Sequence, residues 1–403
     1  MKHELVLVNI LLLNIVLGAG LATSLLSVYL SEMGISLINV GLIFAFGAII
    51  AGFLRLPIGC AVDCFGKKVF VILGALGYPL FALGVAAAKT VPQFIGLDIL
   101  LEVFGAVFWT AFAAHYFDLL SKGNEGIEIG ERNVIHYSAA AMAPLLAGLI
   151  ADRFGFTNLF YIAALIAAIG IPIAVASIKD HVKCKPCFSF SRIGEEYREV
   201  FRIKGYKTIF FVVLMNNITW AFWAIYMPIF LANKGFSFAD IGLIITAIWV
   251  TTALIQIPLG RAIDKFPVKW ILIPGFGLVF LGGIMFFAVQ NFYGYLVGRC
   301  VASIGWDTSY WPAVGLFAKV TPKREHGAGW AALTAIVAIS YGMAAIIGGF
   351  LTERFGLEIV LFASAFLSFI VGLTLISSKV LADKGTKFHK RHHVMMHTVY
   401  SKH

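Results

Sequence analysis

Five stretches of this chain, each at least twenty residues long, contain no Asp, Glu, Lys or Arg: Leu5–Ser31, Val69–Ala88, Phe154–Ile178, Thr208–Asn233 and Ile359–Ser378. At a helical rise of about 1.5 Å per residue, each can cross a hydrocarbon core ~30 Å thick. Lipid offers no partners to backbone N–H and C=O groups, so a stretch that crosses it must bond internally, as a helix. Composition agrees: 60% of the residues are hydrophobic and 13% are charged, whereas a soluble chain is about a quarter charged. So many apolar side chains do not fit inside a soluble core, and lipid is the solvent for much of the surface. The expected fold class is an all-α membrane protein.

Twelve spans are expected, near 5–30, 38–61, 69–88, 93–118, 134–152, 158–178, 208–231, 240–262, 270–289, 293–318, 328–351 and 358–378. The first is longer than a signal-peptide core and runs into the second after the short loop Glu32–Ser36, so it reads as a span. Basic residues gather on one face: Lys67, Lys68, Lys122, Arg132, Lys265, Lys269, Lys319, Lys323 and Arg324, with more in the 179–207 connection and the tail. The opposite loops carry only Lys89, Arg153, Lys234 and Arg354. By the positive-inside rule both termini are expected in the cytoplasm of a plasma-membrane protein. The net charge of +10 is thus a membrane-surface feature, and no nucleic-acid partner is expected.

An internal repeat runs at a constant offset of 201 residues. Gly34, Ser36 and Gly41-Leu42-Ile43 match Gly235, Ser237 and Gly242-Leu243-Ile244. Pro57, Gly59, Ala61, Asp63, Phe65 and Lys68 match Pro258, Gly260, Ala262, Asp264, Phe266 and Lys269. Gly148, Arg153, Phe154 and Gly155 match Gly349, Arg354, Phe355 and Gly356. The expected organisation is a six-helix bundle over 1–178, a linker over 179–207, a second bundle over 208–378 and a basic, His-rich tail over 379–403. Six spans plus six in parallel repeat is a secondary-transporter architecture.

With these residues in place the chain resembles the major facilitator superfamily over nearly its whole length. Gly59-Cys60-Ala61-Val62-Asp63-Cys64-Phe65-Gly66-Lys67-Lys68 is similar to that family's G-x-x-x-D-x-x-G-[RK]-[RK] loop, and Gly260 with Asp264 belongs to a degenerate second copy. The resemblance implies a cytoplasmic latch of Gly59, Asp63, Gly66, Lys67, Lys68, Gly260 and Asp264, in which the glycines let helices approach closely. Ala143-Pro144-Leu145-Leu146-Ala147-Gly148 is similar to the family's G-P-x-x-G-G antiporter segment, and reads equally as a Pro-kinked span packed through small residues. Where the family often has an arginine and then a glycine early in the fourth span, this chain has Asp98 and Glu102; the tenth span keeps Arg299 with Ser303. A role of that arginine does not carry over to the fourth span.

A charge at membrane depth is costly, so it faces a cavity or a partner. Arg55, Asp98, Glu102, Arg299 and Asp307 are the coupling-ion candidates. Asp98 and Glu102 stand four residues apart on one helical face, and two desolvated carboxyls that close do not both ionise cheaply, which suits proton binding. Glu102 is expected to be the better desolvated of the two. Arg55 reads as structural, and His115 with Asp118 as interfacial. In the family fold the first, fourth, seventh and tenth spans line the central cavity. The implied substrate pocket is therefore Asn14, Asn217, Trp220, Trp223, Tyr226, Trp306, Tyr310 and Trp311, an aromatic wall suited to amphipathic, aromatic or cationic solutes. Interfacial placement or plain helix packing is the competing reading for each ring.

The lone Cys184-Lys185-Pro186-Cys187 lacks the second pair of a metal or redox site, and the tail from Phe388 to His397 offers donors for a soft divalent metal but reads first as a basic segment against anionic lipid, so no metal site and no cofactor is expected. No G-x-x-x-x-G-K-[ST] run is present, which argues against an ATP-driven pump. No nucleophile–base constellation argues for an enzyme. The expected function is alternating-access transport of a small organic solute, first as proton-coupled efflux of an amphipathic or drug-like compound, by a protein working as a monomer. Uptake of an organic metabolite, divalent-metal export and a non-transporting membrane sensor are the alternatives, in that order.

Overall fold

The computed structural model describes residues 2–120, 125–178, 205–321 and 326–378. The Cys184/Cys187 pair and the His-rich tail lie outside these residues, as does the side chain of Asp63. All regular structure among the described residues is helical: α1 (Lys2–Thr23), α2 (Leu26–Glu32), α3 (Leu37–Phe65), α4 (Lys67–Ala87), α5 (Val91–Leu119) and α6 (Glu125–Ser177). After the linker come α7 (Tyr206–Asn233), α8 (Phe238–Lys265), α9 (Lys269–Ala288), α10 (Phe292–Val320), α11 (His326–Phe355) and α12 (Leu357–Thr374), which ends in a 3₁₀ turn over Leu375–Ser377.

Ten stretches are long and apolar enough to cross a membrane. Two differences reconcile that number with the twelve expected spans. The fifth and sixth spans are the two arms of α6, separated at Gly155, whose φ of 79° and ψ of 164° are non-helical and open to glycine because it has no Cβ. The tenth, α10, carries Arg299 and Asp307 within its 29 residues, and is assigned by its place in the repeat. The first expected span is itself interrupted between α1 and α2. There Thr23 Oγ1 and Ser24 Oγ bond back to the carbonyls of Ala19 and Gly20, a competition that bends helices.

The repeat read from the sequence recurs in the backbone. The helices α5 and α10 begin and end at the same offset. The left-handed glycines fall in the same pairs, Gly34 (77°) with Gly235 (85°) and Gly155 with Gly356 (86°). Helix starts repeat too: Thr90 and Gln93 form a capping box at α5, and Asn291 accepts from the Gly294 N–H at α10.

Two compact units emerge from the packing. One gathers the described residues of Met1–Phe188 with Ala221–Ala253 and Ala338–Leu361. Its core is apolar and centred on Leu11, Ile15, Phe108, Phe112 and Ala139. The other comprises the described parts of Ser189–Trp220, Leu254–Val337 and Phe362–His403, with a core around Phe210, Leu272, Phe276, Leu316 and Leu333. Within the first unit two seams mirror each other at the repeat offset. An added Cβ on Gly41 (α3) would lie 2.2 Å from Ala345 O (α11), and one on Gly242 (α8) would lie 2.3 Å from Pro144 O (α6). Small residues at helix contacts let backbones meet in a solvent that supplies no hydrophobic drive between helices.

Candidate functional site

Helix α5 places the acidic candidates. Asp98 is 3% exposed, and its Oδ2 has no hydrogen-bond partner. That oxygen lies 2.2 Å from where a Cβ on Gly47 of α3 would stand, so only glycine admits the carboxyl there. Glu102, one turn on, keeps part of its surface exposed and has Asp98 and Arg55 as electrostatic neighbours. Two expectations change. By surface exposure Asp98, not Glu102, is the more covered carboxyl, because α3 presents Gly47 to it and the two backbones meet there. Arg55 faces Glu102 across α3 and α5 in addition to any part it takes near Asp63.

Two tyrosines complete this group. Tyr78 of α4 lies in electrostatic reach of Glu102 and hydrogen-bonds with Trp109. Tyr341 of α11 is in electrostatic reach of Glu102, Asp98 and Tyr226. The α11 backbone is brought there by Gly342, whose Cβ would lie 2.9 Å from Ala45 O of α3. Neither tyrosine stands out in a sequence with 13 of them.

The charges of α10 are built into the second unit. The Arg299 guanidinium sits 4.7 Å from the Trp306 ring centroid, a cation–π contact in a buried setting. Asp307 accepts a hydrogen bond of 3.1 Å from Trp311 Nε1, four residues along the same helix. Asp98 and Asp307 thus have unlike surroundings, one pressed against a bare backbone and one held by an indole.

The pocket candidates divide by burial. Trp223, Tyr226 and Trp306 are buried; Tyr226 donates to Ala345 O at 2.6 Å and Trp306 Nε1 to Thr219 Oγ1 at 3.3 Å. These three rings are committed to packing. Trp220, Tyr310 and Trp311 keep part of their surface exposed, with Tyr310 and Trp311 edge to face at 5.2 Å. Asn217 donates to Val213 O of its own helix, whereas its neighbour Asn216, not singled out from the sequence, donates to Trp306 O (3.2 Å) and Ser309 Oγ (2.6 Å). Asn14 Oδ1 is buried without a partner and lies 2.7 Å from where a Cβ on Gly170 of α6 would stand.

At the latch motif, Gly66 ends α3 and starts α4 at a φ of 92°. Lys67 bonds Ala114 O at 3.0 Å and pairs with Asp118, tying the start of α4 to the end of α5. Asp264 is exposed, and Lys269 bonds Ile376 O. The expectation that Gly59 and Gly260 permit close helix approach is not met in this conformation: a Cβ on either meets nothing within 4 Å. Among the described residues no group of three or more His, Cys, Asp or Glu is placed to hold a metal ion.

Membrane-length helices that repeat at one offset, with charges held inside them, define a multi-pass membrane protein. The sequence model of the Major Facilitator Superfamily matches residues 8–202 and 209–394, and the chain belongs to that family. It is 24% identical over 361 residues to an uncharacterised MFS-type transporter of Methanocaldococcus jannaschii, covering 89% of this chain and 93% of that protein. It is 22% identical over 313 residues to a multi-drug resistance efflux pump PmrA homologue of Lactococcus lactis, covering 76% of this chain and 77% of that one. The crystal structure of the nucleoside transporter NupG superposes with a TM-score of 0.75 at 14% identity, covering 93% of this chain and 98% of that one, a likeness of fold.

Proposed function

We propose that this transporter expels an amphipathic or drug-sized organic solute in exchange for protons, with Glu102 as the proton carrier. The observation that carries this reading is the Asp98–Glu102 pair on α5, one carboxyl buried against the α3 backbone at Gly47 and the other a turn away beside Arg55. Holding both ionised out of water is expensive, so the pair retains a proton until its surroundings change. Glu102 has the partial exposure through which a proton enters and leaves, and Asp98 is the neighbour that makes its neutral form favourable. Rocking of the two halves about a mid-membrane site supplies the change of surroundings. The efflux direction is supported by the multidrug-pump relative, and solute contact by Trp220, Tyr310 and Trp311, whose faces are not fully packed. Asp63, Lys67 and Lys68 form the cytoplasmic latch in this reading, and the chain acts as a monomer.

The test is transport in proteoliposomes with ethidium, an aromatic cation, and an entrapped pH dye. Glu102→Gln abolishes accumulation driven by a pH gradient and leaves ethidium exchange intact, because the amide stands in for the protonated acid. Asp98→Asn shifts the pH at which flux is greatest. Accumulation with unchanged proton movement in Glu102→Gln removes the coupling assignment and turns attention to Asp307. Ethidium that is never carried, while labelled nucleosides or sugars enter with protons, replaces efflux by metabolite uptake.

A further inference from the structure

We infer that Asp152 and Glu353 are paired locking residues of this transporter, each closing one seam at the Gly34 end by capping a helix that belongs to the other half of the repeat. Asp152, on α6, accepts from two backbone donors at the start of α8: Phe238 N–H to Oδ1 at 3.0 Å and Ala239 N–H to Oδ2 at 2.8 Å. Glu353, on α11, accepts from the Leu37 N–H at the start of α3, Oε2 to N being 3.0 Å. Asp152 and Glu353 are related by the 201-residue offset, and so are Phe238 and Leu37.

The first N–H groups of a helix have no partner within it, and a carboxylate both bonds them and meets the positive end of the helix dipole. Each of these two helices already has its own serine at the usual capping position. Ser36 accepts from the Asn39 N–H, and Ser237 accepts from the Asp240 N–H. The carboxylates are therefore not needed to begin the helices. What they add is a bond between elements 86 to 316 residues apart in the chain.

The backbones behind them are in contact along the whole seam. A Cβ on Gly148 would lie 2.2 Å from Phe238 O, and its counterpart on Gly349 would lie 2.7 Å from Leu37 O. Deeper still, Thr246 Oγ1 donates to Ala141 O at 2.7 Å, and the related Gly342 packs on Ala45 O. Such seams are held by small residues, with one charged bond set at each mouth. Because both carboxylates are exposed, water replaces their bonds readily once the seam parts, so they bias a two-state closure and do not fix it. The two sites share the load, which makes the double variant the informative one.

This inference rests on the alternating-access reading above, and its test is independent of substrate and coupling. A cysteine at Ile49, beside Gly342 and below the Ala45 contact, serves as a reporter in a chain whose native cysteines are replaced by serine. Its labelling by a membrane-impermeant maleimide is followed from each side of the vesicle in turn. Asp152→Ala and Glu353→Ala each raise the labelling rate several-fold, and together they raise it more than either alone. Asp152→Asn, which keeps one acceptor oxygen, gives an intermediate rate, a gradation that loss of folding does not produce. Size-exclusion profiles establish that the variants are intact. Faster labelling from either face supports the lock, whichever way the chain is oriented. Wild-type labelling from both faces in the double alanine variant overturns it.

Discussion

Gly47 is the residue on which the Asp98 carboxyl depends. A methyl group there would fall 2.2 Å from Asp98 Oδ2 and 2.7 Å from the Asp98 carbonyl, and the second contact is backbone that cannot swing away. Gly47→Ala therefore forces α3 and α5 apart locally, at a cost of about 1–3 kcal/mol typical of overpacking. Gly96→Ala, on α5 itself but with nothing within 4 Å of the added carbon, is the control and leaves both folding and transport unchanged. Detergent melting and ethidium flux on the two variants check this, and equal behaviour of both would mean that the contact is soft. Single residues were unevenly legible in the sequence. Asp98 and Glu102 stand out because a charge interrupts an apolar run, whereas Tyr341 is one tyrosine among many and meets the carboxyls only through tertiary packing. Asn216 and Asn217 are adjacent in sequence, and only helical phase decides that the first reaches α10 and the second bonds its own turn. Among the aromatic candidates the same phase separates roles. Trp220→Ala and Tyr310→Ala should weaken ethidium binding several-fold in a fluorescence titration, while truncation of buried Trp223 or Tyr226 should lower the yield of folded protein instead.

At the scale of elements, the turn between α3 and α4 carries a prediction that its repeat partner does not share. Gly66 holds a φ of 92°, where a Cβ is strained, so Gly66→Ala costs about 1–3 kcal/mol and misdirects the Lys67 side chain from Ala114 and Asp118. The corresponding position in the second half is Pro267, which no left-handed residue occupies, and Pro267→Ala leaves the melting temperature close to wild type. Thermal unfolding in detergent distinguishes the two; an equally mild effect at Gly66 would show that the turn relaxes freely. Most elements were readable beforehand because length, polarity and glycine spacing fix them: the twelve spans and the paired loop glycines follow directly. The break between α1 and α2 was not, since Thr23 and Ser24 act through side-chain bonds to the turn below, and nothing in an apolar run announces which rotamer they take. The break between the two arms of α6 was legible, because Gly155 repeats the loop glycine Gly356 at the same offset.

For the molecule as a whole, the unequal distribution of basic residues sets an expected orientation that labelling can test. The cations at the Gly34 end are held locally: Lys234 lies 3.6 Å from Glu358, and Arg153 and Arg354 lie 5.6 and 5.8 Å from the ring centroids of Phe154 and Phe355. Among the described residues only Lys234 is offset by an acid there, and Lys89, Arg153 and Arg354 keep their charge, but the loops at the opposite, latch end carry more cations, Lys68, Arg261 and Lys265 among them. Anionic lipid on the cytoplasmic leaflet favours that second end inside, each basic residue near the surface adding about 1 kcal/mol. Met33 and Phe154 are exposed at the Gly34 end, and Phe65 and Phe266 at the other. In intact cells, Met33→Cys and Phe154→Cys should therefore react with an impermeant maleimide, while Phe65→Cys and Phe266→Cys react only after the membrane is opened. Met33, Phe154 and Phe65 belong to the first half and Phe266 to the second, so a second half inserted upside down would split Phe266 from Phe65. The reverse pattern in all four would place the seams of Asp152 and Glu353 on the cytoplasmic side and overturn the orientation. Alternating access opens Glu102 to each face in turn, so the coupling reading is decided by proton flux in Glu102→Gln and the sidedness of the seams by this labelling.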